Sequence, residues 1–148
     1  MFDYGVARSL TVALSKGLES IFDNPCIYQD MLPMGYRSPC FFVNHVDTQV
    51  QLKLFNRYRV VANYDITYHP AERKFNSKEF SDVAEKMTYG LELIRLEDES
   101  YVRGGNIRYE VQDNVLHFFI TFDFFAIRAK DRGTKMQVLH QRYGLKED

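Results

Sequence analysis

The sequence predicts an α+β fold: a single domain with a mostly antiparallel β-sheet, two main helices packed on it, a long β-hairpin arm and an extended C-terminal tail. Along residues 40–68 and 101–127, apolar side chains recur at every second position, the period of two that is typical of strands. Residues 4–22 and 77–90 instead repeat apolar side chains every three or four positions, as amphipathic helices do. A length of 148 residues fits one domain.

The two helices are predicted from their apolar faces and their ends. Asn24-Pro25 ends the first helix, because a residue before proline is pushed out of the helical region. The side chain of Asn76 or Ser77 can cap the second helix, and Gly90 stands where a C-terminal glycine is expected. The apolar positions are Val6, Leu10, Leu14, Leu18 and Ile21 in the first helix, and Phe80, Val83, Ala84, Met87 and Leu91 in the second.

A long hairpin follows a short predicted strand at Cys26–Gln29. Its outgoing strand is Cys40–Gln51, and its return strand alternates cleanly up to His69-Pro70, where the proline lacks a donor for the ladder. The apex places Leu54 and Phe55 where a turn is usually polar. Either these two side chains fold back onto the body, or the hairpin is an arm that reaches a neighbouring protein.

The hairpin over 101–127 turns at Gln112-Asp113-Asn114 and carries an unusual number of aromatic residues. On its second strand, one face consists of Leu116, Phe118, Ile120, Phe122 and Phe124. The opposite face is not uniformly polar, because it includes Phe119 and Phe125. Exposed apolar patches usually mark contact sites, so these two residues indicate burial either by this chain's first helix or by another copy.

The tail from 128 to 148 is predicted as a C-terminal extension of the domain at 1–127. It is polar at first and then has a small apolar island of Met136, Val138 and Leu139. The extension is either a partly ordered terminus or an arm that adds to a partner's sheet edge or groove.

Composition and charge exclude several classes of function. The net charge of −1 lacks the basic excess of generic duplex-binding proteins. Cys26 and Cys40 are too few for a disulfide framework or a four-cysteine zinc site, and two buried free thiols are favoured over a pair. Neither a membrane-spanning run nor a signal-peptide core is present, which predicts synthesis in the cytosol.

No catalytic, metal-binding or cofactor-binding constellation is predicted. The four histidines lack metal-site spacing, and Gly104-Gly105 is better explained by a bulge than by a phosphate cradle, since no helix follows. Asp98, Glu99 and Glu110 are expected to be solvated. Arg103 and Arg108 suit either charge pairs on a surface strand or an intersubunit contact, and the second is slightly favoured.

Several motifs in order resemble the phage tail terminator (tail completion) proteins of Gram-positive phages and PBSX-like prophages. They include Pro39-Cys40-Phe41-Phe42-Val43, the run from Tyr64 to Pro70, and Val83-Ala84-Glu85-Lys86-Met87. The strongest runs from Arg103 to Val111, followed by Val115-Leu116-His117-Phe118-Phe119. The resemblance covers about residues 26–127.

The resemblance implies a structural virion protein that forms a homo-oligomer, typically a hexameric ring, on the last ring of the tail tube. Such a ring stops tube growth, forms part of the surface that joins tail to head, and meets the sheath in a contractile tail. The implied partners are the tube, sheath and head–tail connector proteins, with DNA only passing through the ring lumen. The implied location is the head-proximal end of the virion tail, after assembly in the host cytoplasm.

Two alternatives remain open at this stage. One is a head–tail connector or stopper subunit, and the other is a small enzyme or ligand-binding α+β domain with a pocket under the aromatic hairpin. The candidate interface residues are Leu54, Phe55, Arg57, Arg103, Arg108, Met136, Val138 and Leu139.

Overall fold

A computed structural model describes the backbone of residues 3–128 and 136–138, and the side chains of residues 9–127. It confirms the predicted α+β class. The elements are α1 (Asp3–Ile21), β1 (Ile27–Tyr28), β2 (Cys40–Leu52), β3 (Arg57–His69), α2 (Ser77–Gly90), β4 (Leu93–Arg95), β5 (Tyr101–Gln112), β6 (Val115–Arg128) and β7 (Met136–Val138). Within the described helices, no stretch is long and apolar enough to cross a membrane.

The strands form one sheet in the order β1-β2-β3-β6-β5-β4, and β7 pairs with the end of β6. All neighbouring pairs are antiparallel except β1 and β2. β3 pairs with β6 from Tyr68 opposite Leu116 to Arg57 opposite Ile127. The return strand of the long hairpin is therefore a central strand of the sheet.

One face of the sheet carries the core, and both helices cover it. The period-two prediction for β6 is confirmed, because Leu116, Phe118, Ile120, Phe122 and Phe124 are all buried. The helices contribute their apolar stripes, including Leu10, Leu14 and Leu18 from α1 and Phe80, Val83, Ala84 and Met87 from α2. Burial of this apolar surface is the main stabilising term of the fold.

Two hydrogen bonds join the helices to β3 across the core. The hydroxyls of Thr11 and Tyr64 lie 3.1 Å apart. The Tyr68 hydroxyl donates to the Glu79 carboxylate of α2 over 2.6 Å. Burial raises the pKa of Tyr64 to about 12 and also raises that of Tyr68, where the carboxylate acts in the same direction. Both phenols therefore stay protonated at neutral pH.

Helix α2 begins and ends where predicted, at Ser77 and Gly90, but Gly90 is not its C-cap. The side chain of Asn76 accepts a hydrogen bond from the Glu79 amide over 3.1 Å, so Asn76 is the N-cap. The C-cap is Leu91, at φ −106°, and Gly90 is the last helical residue. A Cβ on Gly90 would lie 2.3 Å from the Ile21 side chain, so this glycine permits close packing of the two helix ends.

The turn and bulge of the second hairpin agree with prediction. Asp113 and Asn114 have φ of 54° and 58°, the two positive values of a type I′ turn. The β5–β6 register shifts between Gly105 and Arg108, which is the predicted bulge. A Cβ on Gly104 would lie 2.5 Å from Ile120 Cδ1, so the glycine also allows β5 to approach the core.

Candidate functional site

The tip of the β2–β3 hairpin, residues 53–56, presents apolar side chains to solvent. Leu54 is 73% exposed and Phe55 is 91% exposed, so neither folds back onto the body of this chain. The turn is closed by hydrogen bonds from the Lys53 amide to the Arg57 carbonyl (2.8 Å) and from the Arg57 amide to the Leu54 carbonyl (3.1 Å). Phe55 has a φ of 59°, a left-handed conformation that is rare for a bulky residue.

The strand leading to the tip extends this apolar surface. Val50 and Leu52 lie opposite Val60 and Tyr58 on the helix-facing side of the sheet, yet they are 48% and 63% exposed. The candidate interface residues named from the sequence do not include Val50 and Leu52, although both alternate with Gln49 and Gln51 in the sequence. The tip and this strand together form one exposed apolar stretch.

The structure brings several predicted interface residues to the same end of the sheet. Arg57 pairs with Ile127 of β6, and Ile127 pairs with Gln137 of β7. The backbones of Met136 and Val138 are thus two strands from Arg57, and they pair with β6 of this chain. Leu139 lies outside the described residues. The assignment of these residues to an interface stays a prediction.

Arg103 and Arg108 lie apart from that end, on β5. Arg103 forms an ion pair with Glu92 over 3.0 Å, and Arg108 approaches Glu110 at 3.5 Å. Both arginine side chains are more than half exposed, so these pairs contribute little to stability. They fit the surface-pair interpretation, and an intersubunit role for the two arginines stays a prediction.

Phe119 and Phe125 lie on the sheet face that the helices do not cover, so α1 does not bury them. Both are half-buried. The Arg108 guanidinium lies 4.1 Å from the centre of the Phe119 ring, and that of Arg57 lies 5.9 Å from Phe125. Such cation–π contacts shield the aromatic rings while keeping charge at the surface.

Polar contacts cross the same face between β2, β3 and β6. Arg59 donates two hydrogen bonds to Asp123, at 3.0 and 2.6 Å, and this contact raises the pKa of the guanidinium. Further along the face, His117 lies 3.0 Å from Asp65. Asn63 links both neighbouring strands, because its amide donates to Asp47 and its carbonyl oxygen accepts from Thr121. This face is therefore mainly polar: side-chain hydrogen bonds connect its strands, and Phe119 and Phe125 are its two phenylalanines on β6.

A groove of about 520 Å³ lies between α1 and the β4 edge, and we call it the α1–β4 groove. Apolar groups on its walls include Leu93 and Tyr101, which are 47% and 50% exposed. Charged residues also line it: Lys16, Arg95, Glu97 and Glu99. The turn at 97–99 is wholly acidic, and Glu99 pairs with Arg95 over 3.5 Å. The sequence did not reveal the groove, because it forms between elements distant in the chain.

A second cavity, of about 360 Å³, lies beside the end of β3 and includes Tyr36, His69 and Asn114 in its wall. His69 is buried, its Nε2 lies 3.0 Å from the Thr67 hydroxyl, and its ring packs 5.0 Å from that of Tyr36. Burial lowers the pKa of His69, and the nearby His117 lowers it further. The imidazole is therefore neutral at neutral pH.

The side chains in the described part of the chain give no sign of a metal centre. No three His, Cys, Asp or Glu residues there are grouped in a way that could hold an ion. Cys26 is half-buried and Cys40 is buried, and both thiols are free. Burial raises the pKa of Cys40 to about 11, which keeps it as an unreactive thiol.

These features define a small α+β protein whose hairpin tip exposes two large apolar side chains, Leu54 and Phe55. Comparison with protein-family models gives a match to the phage tail terminator protein over residues 9–134. Because the match covers most of the chain, the protein belongs to this family of structural virion proteins. It is therefore a phage tail component with a role in tail completion, and it associates with other tail proteins. Comparison with curated protein sequences gives no match.

The family match confirms the resemblance seen in the sequence and extends it at both ends. It begins at Ser9 within α1, before the start of the resemblance, and it continues seven residues beyond Ile127. Arg103, Arg108 and the tip residues Leu54, Phe55 and Arg57 all lie inside the matched range. Met136, Val138 and Leu139 lie beyond it.

Proposed function

We propose that the protein caps the head-proximal end of the phage tail tube, stops tube growth and forms part of the surface that joins tail to head. The observation that carries this proposal is the family match over residues 9–134. A terminator needs one surface that matches the last tube ring and others that meet its own copies and the connector. The exposed tip at Leu54 and Phe55 is a suitable contact of this kind.

The working unit we propose is a homo-oligomer, with a hexameric ring as the expected form. DNA passes through the ring lumen without sequence recognition, and a near-neutral chain limits repulsion between copies. The proposed partners are the tail tube protein, the head–tail connector and, if the tail is contractile, the sheath. Assembly takes place in the host cytoplasm before heads attach.

The decisive experiment compares phage particles made with and without this protein. Without it, tail tubes are expected to exceed their normal length, because nothing stops the addition of tube subunits. Tubes of normal length would refute the capping role. Imaging a labelled copy on isolated tails, before heads attach, separates a terminator from a connector or stopper subunit, which would be missing from such tails.

The hairpin tip supplies a sharper test of the same role. Replacement of both Leu54 and Phe55 by serine is expected to impair tail completion while lowering the melting temperature by less than about 2 °C, because both side chains are exposed. Replacement of Met34 and Tyr89 by serine is a matched control, since these residues are 99% and 73% exposed at other sites. Normal assembly by the tip variant would remove the tip from the proposed interface.

A further inference from the structure

We infer that Cys26 and Cys40 are a redox-active pair that forms one intramolecular disulfide when the protein meets a small-molecule disulfide oxidant. Both thiols are free in the structure. The sheet register places the two residues side by side, and one of the thiols is partly exposed. The bond closes the segment 26–40, which joins the edge strand β1 to β2.

The register of β1 and β2 sets the two cysteines opposite each other. The strands are parallel and Ile27 lies opposite Phe41, so the residues that precede these two, Cys26 and Cys40, are also opposite each other. The Phe41 amide donates to the Cys26 carbonyl over 2.8 Å, which extends the ladder to this pair. Neighbouring strands lie about 4.8 Å apart. Disulfides join residues whose Cα atoms are about 4.4–6.8 Å apart, so the backbone separation suits a bridge.

The two side chains also share one face of the sheet. Phe41 belongs to the core under the helices, and Ile27 packs against the same core. Because successive residues of a strand point to opposite faces, Cys26 and Cys40 both lie on the face that the helices do not cover. Burial raises the pKa of Cys40, and Cys26 raises it further, as expected of two thiols that are close together.

The two thiols differ in access to solvent, and this difference sets the order of reaction. Cys26 is half-buried and Cys40 is buried, so the oxidant reacts first at Cys26. The Cys26 thiolate attacks oxidised glutathione, forms a mixed disulfide and expels one glutathione thiolate. The Cys40 thiolate then attacks Cys26 Sγ and expels the second glutathione thiolate. The pKa of Cys40, raised to about 11, makes this second step the slower one at neutral pH.

The reaction is balanced without any further reagent. Two protein thiols are oxidised to one disulfide, and one molecule of oxidised glutathione is reduced to two molecules of glutathione. The two protons released by the protein thiols end on the two glutathione thiolates. A thiol reductant in excess reverses both steps.

A virion protein meets such an oxidant at a defined stage. The cytosol keeps thiols reduced, whereas a particle outside the cell is in an oxidising medium. The pair is therefore a dithiol during assembly and a disulfide after release. The bond fixes both ends of a segment whose exposed residues include Met31 and Met34, and it constrains the unfolded chain, which stabilises the released protein.

Peptide mapping of the purified protein tests the bond directly. The reduced protein is incubated with oxidised glutathione and denatured, its remaining thiols are alkylated, and trypsin is added without reductant. Trypsin cleaves after Arg37, between the two cysteines, so the expected product is peptide 17–37 joined to peptide 38–53. Dithiothreitol should separate the two peptides. A stable glutathione adduct on Cys26 beside an alkylated Cys40, a Cys26 bond between two chains, or two alkylated cysteines would each overturn the inference.

Single substitutions separate the roles of the two thiols. Cys40→Ala should trap the glutathione adduct on Cys26, and Cys26→Ser should leave Cys40 unmodified because that thiol is buried. Oxidation should raise the melting temperature of the unsubstituted protein by about 6–12 °C, from closure of the loop 26–40, and leave that of Cys26→Ser unchanged. An equal rise in both proteins would overturn the inference. These measurements do not depend on capping, which the length of the tail tubes tests separately.

Discussion

Two adjacent glycines in β5 are expected to respond to alanine with opposite signs. A Cβ on Gly104 would lie 2.5 Å from Ile120 Cδ1, 2.9 Å from its Cγ1 and 3.1 Å from Phe122 Cε1. Ile120 and Phe122 are fully buried, so neither side chain can swing away into solvent. Overpacking of this kind costs about 1–3 kcal/mol of unfolding free energy.

Gly105 is the matched control. A Cβ there meets no atom within 4 Å. Because neither glycine needs a left-handed backbone, Gly105→Ala should stabilise the protein by about 0.4–1 kcal/mol through the unfolded chain. The two variants should therefore differ by about 1.4–4 kcal/mol, from the sum of these ranges.

Urea unfolding measures the difference between the two variants. The protein concentration is kept the same throughout, because self-association would otherwise change the apparent stability. Gly104→Ala should lower the urea midpoint, and its melting temperature should fall by about 2–12 °C at 2–4 °C per kcal/mol. Gly105→Ala should move both quantities slightly upwards. Equal effects of the two substitutions would refute the close approach of β5 to Ile120.

Three further predictions concern the helices and the buried histidine. Tyr68→Phe should cost about 0.5–1.5 kcal/mol by removing the hydrogen bond to Glu79, whereas Tyr109→Phe, at an exposed tyrosine, should be neutral in the same urea titration. Asn76→Ala should cost about 1 kcal/mol through loss of the α2 N-cap, and unchanged thermal stability would contradict the cap. His69 has a lowered pKa because of burial, so the unfolded chain takes up its proton first as the pH falls below about 6.5. Stability should decline there, and His69→Gln should decline less; parallel pH profiles would contradict this.

The elements and faces of the sheet were predictable because they depend on local periodicity. The alternation along β6 assigned Leu116 to Phe124 to the core correctly, and the stripe on α2 did the same for Phe80 to Met87. Burial along β5 was less predictable. Tyr109 and Val111 lie opposite Phe118 and Leu116 on the core side, yet they are 50% and 39% exposed.

The details that the sequence did not predict depend on contacts between distant parts of the chain. Gly90 has the position of a C-terminal cap in sequence, but its role comes from Ile21, 69 residues earlier. The sequence could not show what covers the rings of Phe119 and Phe125. The arginines that lie over them are brought there by the sheet register. The α1–β4 groove likewise depends on how α1 packs beside the last strand.

The backbone of Phe55 has a consequence for how this protein would respond to selection. A bulky residue at φ 59° is strained by about 1–3 kcal/mol, whereas glycine would adopt the same turn freely. Variants enriched only for resistance to heat or proteolysis should therefore replace Phe55 early, and they should lose infectivity in return if the tip is a contact. Selection for infectious particles would retain the phenylalanine and its strain, and sequencing both populations would expose this trade-off.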